Sequence, residues 1–189
     1  MPLAPLPYAT LGALLRGELR REEDPATAEL VRALRSVRRR GCFSRREFLL
    51  MCRWKSPRAL PRYARNPAAA VRRVSAAVLA TRRERRRLEL LRTLAGVSVP
   101  VASAILTLID PRRYGVIDIR TWQVLFALGL VTTHPGGAGF GPDDWERYLG
   151  ILRRHAAALR VPVRTVERTL FLCHRRFQVG RLYERAGRR

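Results

Sequence analysis

An aspartate stands inside an apolar run where a helix is predicted to begin. The segment YGVIDIRTW places Asp118 directly after Val116 and Ile117 and before an amphipathic stretch. Aspartate is a preferred N-cap, because its carboxylate accepts hydrogen bonds from the first backbone N–H groups of a helix. The positive end of the helix dipole also keeps such a carboxylate ionised. Asp118 is therefore either a cap alone or a carboxylate kept for chemistry.

A glycine-containing turn precedes Asp118 in LAGVSVPVASAIL, residues 94–106. A tight turn that leads into a helix points successive backbone N–H groups outward, which makes a phosphate site without side-chain charge. Gly96, Val97 and Ser98 are the candidate contacts. A generic pair of helices would show the same turn, so the turn alone does not indicate a function.

The charge of the chain predicts a polyanionic partner. Lys and Arg number 38 against 15 Asp and Glu, a net charge of +23. Residues 31–92 hold 20 basic and 3 acidic groups and residues 151–189 hold 11 and 2, whereas residues 93–150 hold 4 and 5. Nucleic acid is the leading partner and an anionic membrane surface the second. Asp118 thus lies in a near-neutral apolar segment between two basic arms, as expected for a dry pocket within a DNA-binding face.

Four polar side chains are candidate DNA contacts. Lys55, the single lysine of the chain, lies with Arg58 in CRWKSPR, where a helix meets a proline-rich turn. Lys55 is either a solvated helix-end residue, a phosphate contact or a group that reaches the pocket. Arg120 follows Asp118 by two positions and is either a phosphate contact or an exposed helix residue. Asn66 lies in a predicted loop and is a candidate for filling the gap left by a flipped base.

Two tryptophans are candidates for the base pocket. Trp54 is either a core residue or a base-stacking platform, and Trp122, one turn into the helix after Asp118, either packs in the core or lines the pocket. Aromatic side chains stack on nucleobases as readily as they pack in cores.

The sequence predicts an all-α protein. Asp24-Pro25 marks a helix start and Gly41 a helix end, while Ser44 and Glu47 form a predicted capping box with Phe43 stapled onto Phe48. A proline-broken connection is expected over 56–67. A basic helix should run from Ala68 toward Leu94 with a break near Thr81, and its buried stripe should consist of Val71, Val74, Val78, Leu88 and Leu91. Further helices are expected over 100–109, 119–131, 143–160 and 164–178, with a loop at THPGGAGFGP and a frayed tail at YERAGRR.

Composition argues against several other classes of protein. The three cysteines, Cys42, Cys52 and Cys173, include no CxxC pair, which disfavours a zinc or iron–sulfur site and favours a reducing compartment. The longest apolar run, residues 94–109, is too short to span a bilayer, and no secretory leader is evident. We therefore expect a soluble cytoplasmic, nucleoid-associated protein.

The residues between the basic arms resemble the helix-hairpin-helix DNA glycosylase superfamily, and most closely its compact 8-oxoguanine-glycosylase-fold members. The family pattern is an apolar residue, a glycine-containing turn, a helix of small residues, an apolar stretch that ends in aspartate, and a helix. The chain matches this pattern with Leu94, Gly96–Ser98, Ala102-Ser103 and Val116-Ile117-Asp118. The resemblance covers about residues 90–130 and is diffuse elsewhere.

This resemblance implies a single glycosylase-like domain over residues 1–189 with a two-lobed, all-α helix-hairpin-helix glycosylase fold. It implies a monomer that binds double-stranded DNA containing a modified base, flips that base into a pocket and excises it. Asp118 would stabilise the oxocarbenium-like sugar or activate water. No cofactor is implied beyond a monovalent cation at the hairpin carbonyls.

The chain departs from the family pattern at two positions. Ser98 replaces the second hairpin glycine, which requires that its φ angle not be strongly positive. Pro100 stands at the interval from Asp118 at which lysine-bearing members place their Schiff-base lysine. The resemblance then implies a monofunctional glycosylase that leaves an abasic site without cutting the strand.

The base and the biological role remain open at the sequence level. Oxidised guanine, alkylated purines, mismatched pyrimidines and the modified cytosines of phage DNA are all compatible with the pattern, in repair, self-resistance or phage defence. The alternatives are a non-catalytic helix-hairpin-helix DNA-binding protein and an RNA-binding accessory protein. Competition between duplex DNA and structured RNA would distinguish the last of these.

Overall fold

The computed structural model describes residues 3–182, and these are helical with no strand beyond one isolated bridge between Leu3 and Gln178. The all-α expectation is confirmed for this part of the chain. The predicted tail, residues 183–189, lies outside the described residues. The helices are α1 Leu11–Glu18, α2 Pro25–Leu34, α3 Val37–Arg40, α4 Arg45–Lys55, α5 Leu60–Tyr63, α6 Ala68–Ala80, α7 Glu84–Arg92, α8 Val99–Ile109, α9 Ile119–Ala127, α10 Pro142–Leu159 and α11 Val163–Phe177.

The predicted caps in the N-terminal half are confirmed, but a turn at residues 35–36 divides the predicted helix between Asp24 and Gly41 into α2 and α3. Asp24 caps α2 by accepting from Thr27 N, and Gly41 ends α3 in the left-handed region with a φ of 73°. Ser44 and Glu47 form the capping box of α4. The rings of Phe43 and Phe48 stack with centroids 6.4 Å apart, as a hydrophobic staple does.

The basic segment is broken at Thr81 as predicted, which gives two helices, α6 and α7, that pack against each other. Their predicted stripe faces the core, where four of its residues are buried and Val74 is partly buried.

Three details differ from the sequence prediction. Helix α9 ends at Ala127 rather than near residue 131, because Gly129 adopts a φ of 69° and Leu130 N donates back to Leu125 O. The connection over residues 56–67 contains a 3₁₀ turn, Pro57–Ala59, and the short helix α5. Helix α1, for which no prediction was made, begins at an N-cap formed by Thr10.

Helix α8 forms the centre of the molecule. Every one of its residues except Pro100 is buried, and it packs against α2, α4, α7 and α10. A helix that is apolar on all sides needs neighbours on all sides, which explains its central position. Helix α9 packs mainly against α11. The hairpin turn and Asp118 therefore stand at the N-termini of two rigidly packed helices.

Buried apolar residues from α1 through α11 form one contiguous core. Among the described residues, no helix combines the length and apolar character needed to cross a membrane.

Candidate functional site

Asp118 is positioned by a buried, non-helical segment, residues 114–117. Gly115 approaches α11 so closely that a Cβ atom there would lie 2.8 Å from the Glu167 Cβ. Val116 O accepts a 2.7 Å hydrogen bond from Tyr148 Oη, and Ile117 N donates to Ser103 Oγ at 3.2 Å. These contacts fix the backbone on both sides and place Asp118 at the first position after the segment leaves the core.

The predicted capping role of Asp118 is confirmed. Its Oδ1 accepts from Arg120 N and Thr121 N, both at 3.1 Å, and its own N–H donates to Thr121 Oγ1 at 3.1 Å. The carboxylate plane is therefore held by α9 through one of its two oxygens.

The second oxygen of Asp118 pairs with Lys55. Lys55 Nζ lies 2.9 Å from Asp118 Oδ2, and each side chain is 17% exposed. Burial alone would raise the pKa of Asp118, but the charge of Lys55 and the hydrogen bonds from Lys55 and Thr121 outweigh it and hold the pKa below its ordinary value. Asp118 is thus an ionised, largely buried carboxylate. Of the alternatives for Lys55, the structure favours the group that reaches the pocket.

Lys55 and Asp118 line two cavities at once. The larger, about 840 Å³, also has walls from the hairpin residues Val97–Pro100, from Arg92 and from the loop 137–140. The smaller, about 370 Å³, has walls from the aromatic rings of Trp54 and Phe171 together with charged residues of α11. The ion pair therefore stands between an open, hairpin-lined space and a partly aromatic one.

The hairpin turn differs in part from the sequence prediction, because Val97 is buried and its N–H donates to Leu94 O at 3.1 Å rather than pointing outward. Gly96 has a φ of 82°, and a Cβ there would come within 3.0 Å of the Arg62 Cβ and the Tyr63 ring. Ser98 has a φ of −86°, so a side chain is tolerated at the second glycine position of the family pattern. Ser98 occupies the N-cap position of α8 without a side-chain capping bond, which leaves its hydroxyl and the first N–H groups of the helix available to an anion.

The structure corrects the interpretation of Asn66. Its side chain is buried and spans the hairpin: Nδ2 donates to Tyr63 O at 2.9 Å and to Ala95 O at 3.0 Å, while Oδ1 accepts from Ala95 N at 2.8 Å. An amide with its donors and acceptor used in this way does not reach DNA. Asn66 instead holds the turn in place.

The interpretation of Trp122 as a pocket residue is also corrected. Trp122 is fully buried, its Nε1 donates to Thr133 O at 2.9 Å, and its ring packs against Phe140 with centroids 5.0 Å apart. It lies on the face of α9 that turns toward the loop 133–140. Trp54 is different, because it is only partly buried and lines the smaller cavity.

The two predicted arginine contacts differ in their freedom. Arg120 lines the larger cavity but is held by α11: Nη1 approaches His174 Nδ1 at 3.1 Å and also bonds Gln178, and the guanidinium stacks over Phe171. Burial and then the charge of Arg120 lower the pKa of His174 to about 4, so that ring is neutral. Arg58 is exposed on the 3₁₀ turn and lines neither of these two cavities.

A second charged cluster, Glu23, Arg164 and Glu167, was not predicted from the sequence. Glu167 is buried on α11, and Arg164 pairs with it and, at 2.7 Å, with Glu23. Burial raises the pKa of Glu167, although the charge of Arg164 opposes the shift. The available signal was a carboxylate on the apolar stripe of α11, four residues after Val163 and three before Leu170. This cluster forms one wall of the smaller cavity.

Within residues 3–182, no group of three or more His, Cys, Asp or Glu side chains is arranged to bind a metal. Comparisons with protein-family models, with curated proteins and with solved structures find no match to this chain.

Proposed function

We propose that the protein is a monofunctional DNA glycosylase that flips a modified base out of duplex DNA and hydrolyses its N-glycosidic bond. The observation that carries this proposal is the ionised Asp118 carboxylate between a hairpin-lined cavity and a partly aromatic one. An anion whose position is held by the backbone of α9 is suited to a reaction whose transition state is cationic.

The two cavities suggest how a nucleotide would bind. Its phosphate would lie against the N–H groups at Ser98 and Val99, near the exposed Arg92, and its base would enter the smaller cavity beside Trp54 and Phe171. The deoxyribose would then lie at Asp118. The 20 basic residues over 31–92 supply the counter-charge for the rest of the DNA backbone.

The chemical step would proceed through loss of the base. The C1′–N bond breaks with its electron pair going to the base, which gains a proton, and the sugar becomes oxocarbenium-like. The Asp118 carboxylate stabilises this cation. Water then adds its oxygen to C1′ and passes a proton to Asp118, which releases it to solvent. The proton that the base gains comes from solvent, so the net reaction adds one water across the C1′–N bond. The product is an abasic site in an intact strand, because Pro100, at the Schiff-base position of the family pattern, has no amine.

The test is incubation with a panel of modified-base duplexes and phage DNAs, followed by alkali to reveal abasic sites. We expect alkali-dependent cleavage with at least one substrate, and none with Asp118→Asn. A correctly folded protein that binds DNA but releases no base across the panel would instead support the non-catalytic alternative. One observation favours that alternative: the capping bonds and Lys55 together satisfy both oxygens of Asp118.

A further inference from the structure

The two oxygens of Asp118 have different partners. Oδ1 is held by the backbone of α9, whereas Oδ2 accepts from Lys55 Nζ at 2.9 Å. An ammonium in contact with a carboxylate cancels most of its field at neighbouring atoms, so the pair acts on a sugar as a dipole rather than as an anion. Asp118 can stabilise a cation at full strength only after Lys55 moves away from Oδ2.

Lys55 has both the freedom and the space to move. It is the last residue of α4, on a flexible stem, and it lines the same cavity as the N–H groups at Ser98. Arg120, a second cation beside Asp118, is restrained by His174, Gln178 and the Phe171 ring. A lysine ammonium is a compact charge that readily changes partners, unlike a stacked guanidinium.

We propose that Lys55 exchanges Asp118 Oδ2 for a DNA phosphate when a flipped nucleotide enters the site, and that this exchange unmasks the carboxylate. The proposal rests on the proposed function, because it takes the larger cavity as the phosphate site. The Asp118 carboxylate and the phosphate compete for the single Lys55 ammonium. Binding of one of them to Lys55 therefore lowers the affinity of Lys55 for the other. The carboxylate is thereby shielded until the substrate that needs it has bound.

The first test is the salt dependence of binding to two duplexes of one sequence, one undamaged and one with a tetrahydrofuran abasic analogue. The analogue presents a flipped sugar-phosphate and cannot be hydrolysed. Lys55→Met should lower the magnitude of the slope of log K against log [salt] by about 0.9 on the analogue duplex, the value for one phosphate contact, and leave the undamaged duplex unchanged. Arg53→Met, an exposed neighbour on α4, is the matched control and should affect both duplexes equally. Equal effects of Lys55→Met on both duplexes would overturn the proposal.

The second test is a double-mutant cycle on the analogue duplex. Asp118→Asn releases Lys55 in the free protein, so it should tighten binding about three- to tenfold when Lys55 is present and less than about twofold in Lys55→Met. Equal effects in both backgrounds would show that Lys55 stays on Asp118. A borohydride-stable adduct that requires Lys55 would also overturn the exchange, because the amine would then be bonded to the sugar. Thermal melting checks that each variant is folded.

These outcomes separate the two proposals. If no base in the panel is released but the slope difference and the cycle appear, the exchange stands and the enzymatic proposal fails. If bases are released and the slope difference is missing, the glycosylase proposal stands and the exchange fails. Absence of salt-dependent DNA binding overturns both.

Discussion

Lys55 Nζ and Asp118 Oδ2 lie 2.9 Å apart, although 63 positions separate the two residues in the chain. The pair joins the C-terminus of α4 to the N-terminus of α9, and both ends are favourable: a cation stands at a helix C-terminus and an anion at an N-terminus. The single lysine of the chain thus forms an ion pair with Asp118, the single acidic residue of the apolar segment YGVIDIRTW.

The ion pair should make part of the folding free energy depend on pH. The folded-state pKa of Asp118 is depressed, so its contribution is present above the ordinary aspartate pKa of about 3.9 and is lost as pH falls through the folded value. We expect the difference in Tm between wild type and Asp118→Asn to be largest near about pH 6 and to shrink toward about pH 2. Differential scanning calorimetry across this range measures it. A difference that is constant with pH would show that the charge of Asp118 does not contribute.

DNA affinity should fall steeply with salt. The arginines of residues 31–92 and 151–189 would displace counterions from several phosphates, so we expect a loss of about 10³-fold or more between about 50 and 200 mM salt. Fluorescence anisotropy with a short duplex gives the slope. A flat response would contradict a DNA groove, and tighter binding to structured RNA than to duplex DNA at each salt would support the RNA-binding alternative.

Borohydride should trap no covalent protein–DNA adduct. Pro100 cannot form a Schiff base, and Lys55 Nζ is engaged in an ion pair with Asp118 Oδ2. Gel analysis after incubation with an abasic-site duplex and borohydride is the measurement, with Lys55→Ala as the control. An adduct that appears with wild type and disappears with Lys55→Ala would mean that Lys55 acts as a nucleophile and that the strand is also cut.

Asn66→Ala should destabilise the protein rather than remove a DNA contact. It deletes three side-chain hydrogen bonds, one to Tyr63 O and two to the backbone of Ala95, at a cost of about 1–3 kcal/mol. We expect a lower denaturation midpoint, with weaker DNA binding that follows the loosened hairpin. Arg65→Ala, the exposed neighbour, should leave stability within about 0.5 kcal/mol. Wild-type stability with weakened binding in Asn66→Ala would restore the interpretation of Asn66 as a DNA contact.

The helix ends could be predicted from neighbouring residues, whereas the ion pairs between distant residues could not. The caps at Asp24, Ser44 and Asp118 depend on residues within one turn, so the sequence determines them. The partners Lys55 and Asp118 lie on different helices and follow no local spacing, and the same holds for Glu23 and Arg164.

The hydrophobic periodicity of a short helix also does not show which of its side chains face the core. Trp122 lies one turn into α9, where neighbouring positions face either the core or the pocket, so only its packing against Phe140 shows which way it faces. Asn66 was ambiguous for a related reason. A loop asparagine that binds backbone and one that contacts a ligand have the same sequence pattern.

Asp118→Asn should abolish base release while leaving the fold intact. Asparagine is also a good N-cap, so α9 should keep the bonds to Arg120 N and Thr121 N. What is lost is the negative charge beside the forming sugar cation. Removal of such a preorganised group costs about 10²–10³ in rate, and more if the carboxylate also activates water.

Asp118→Ala is the companion variant, because it removes cap and charge together. It should release no base and should also lower stability by about 1 kcal/mol through the lost cap. Single-turnover base release beside thermal melting for both variants separates the two roles. If Asp118→Asn retains nearly wild-type turnover while Asp118→Ala merely melts earlier, Asp118 is a cap and a partner for Lys55, and the glycosylase proposal fails.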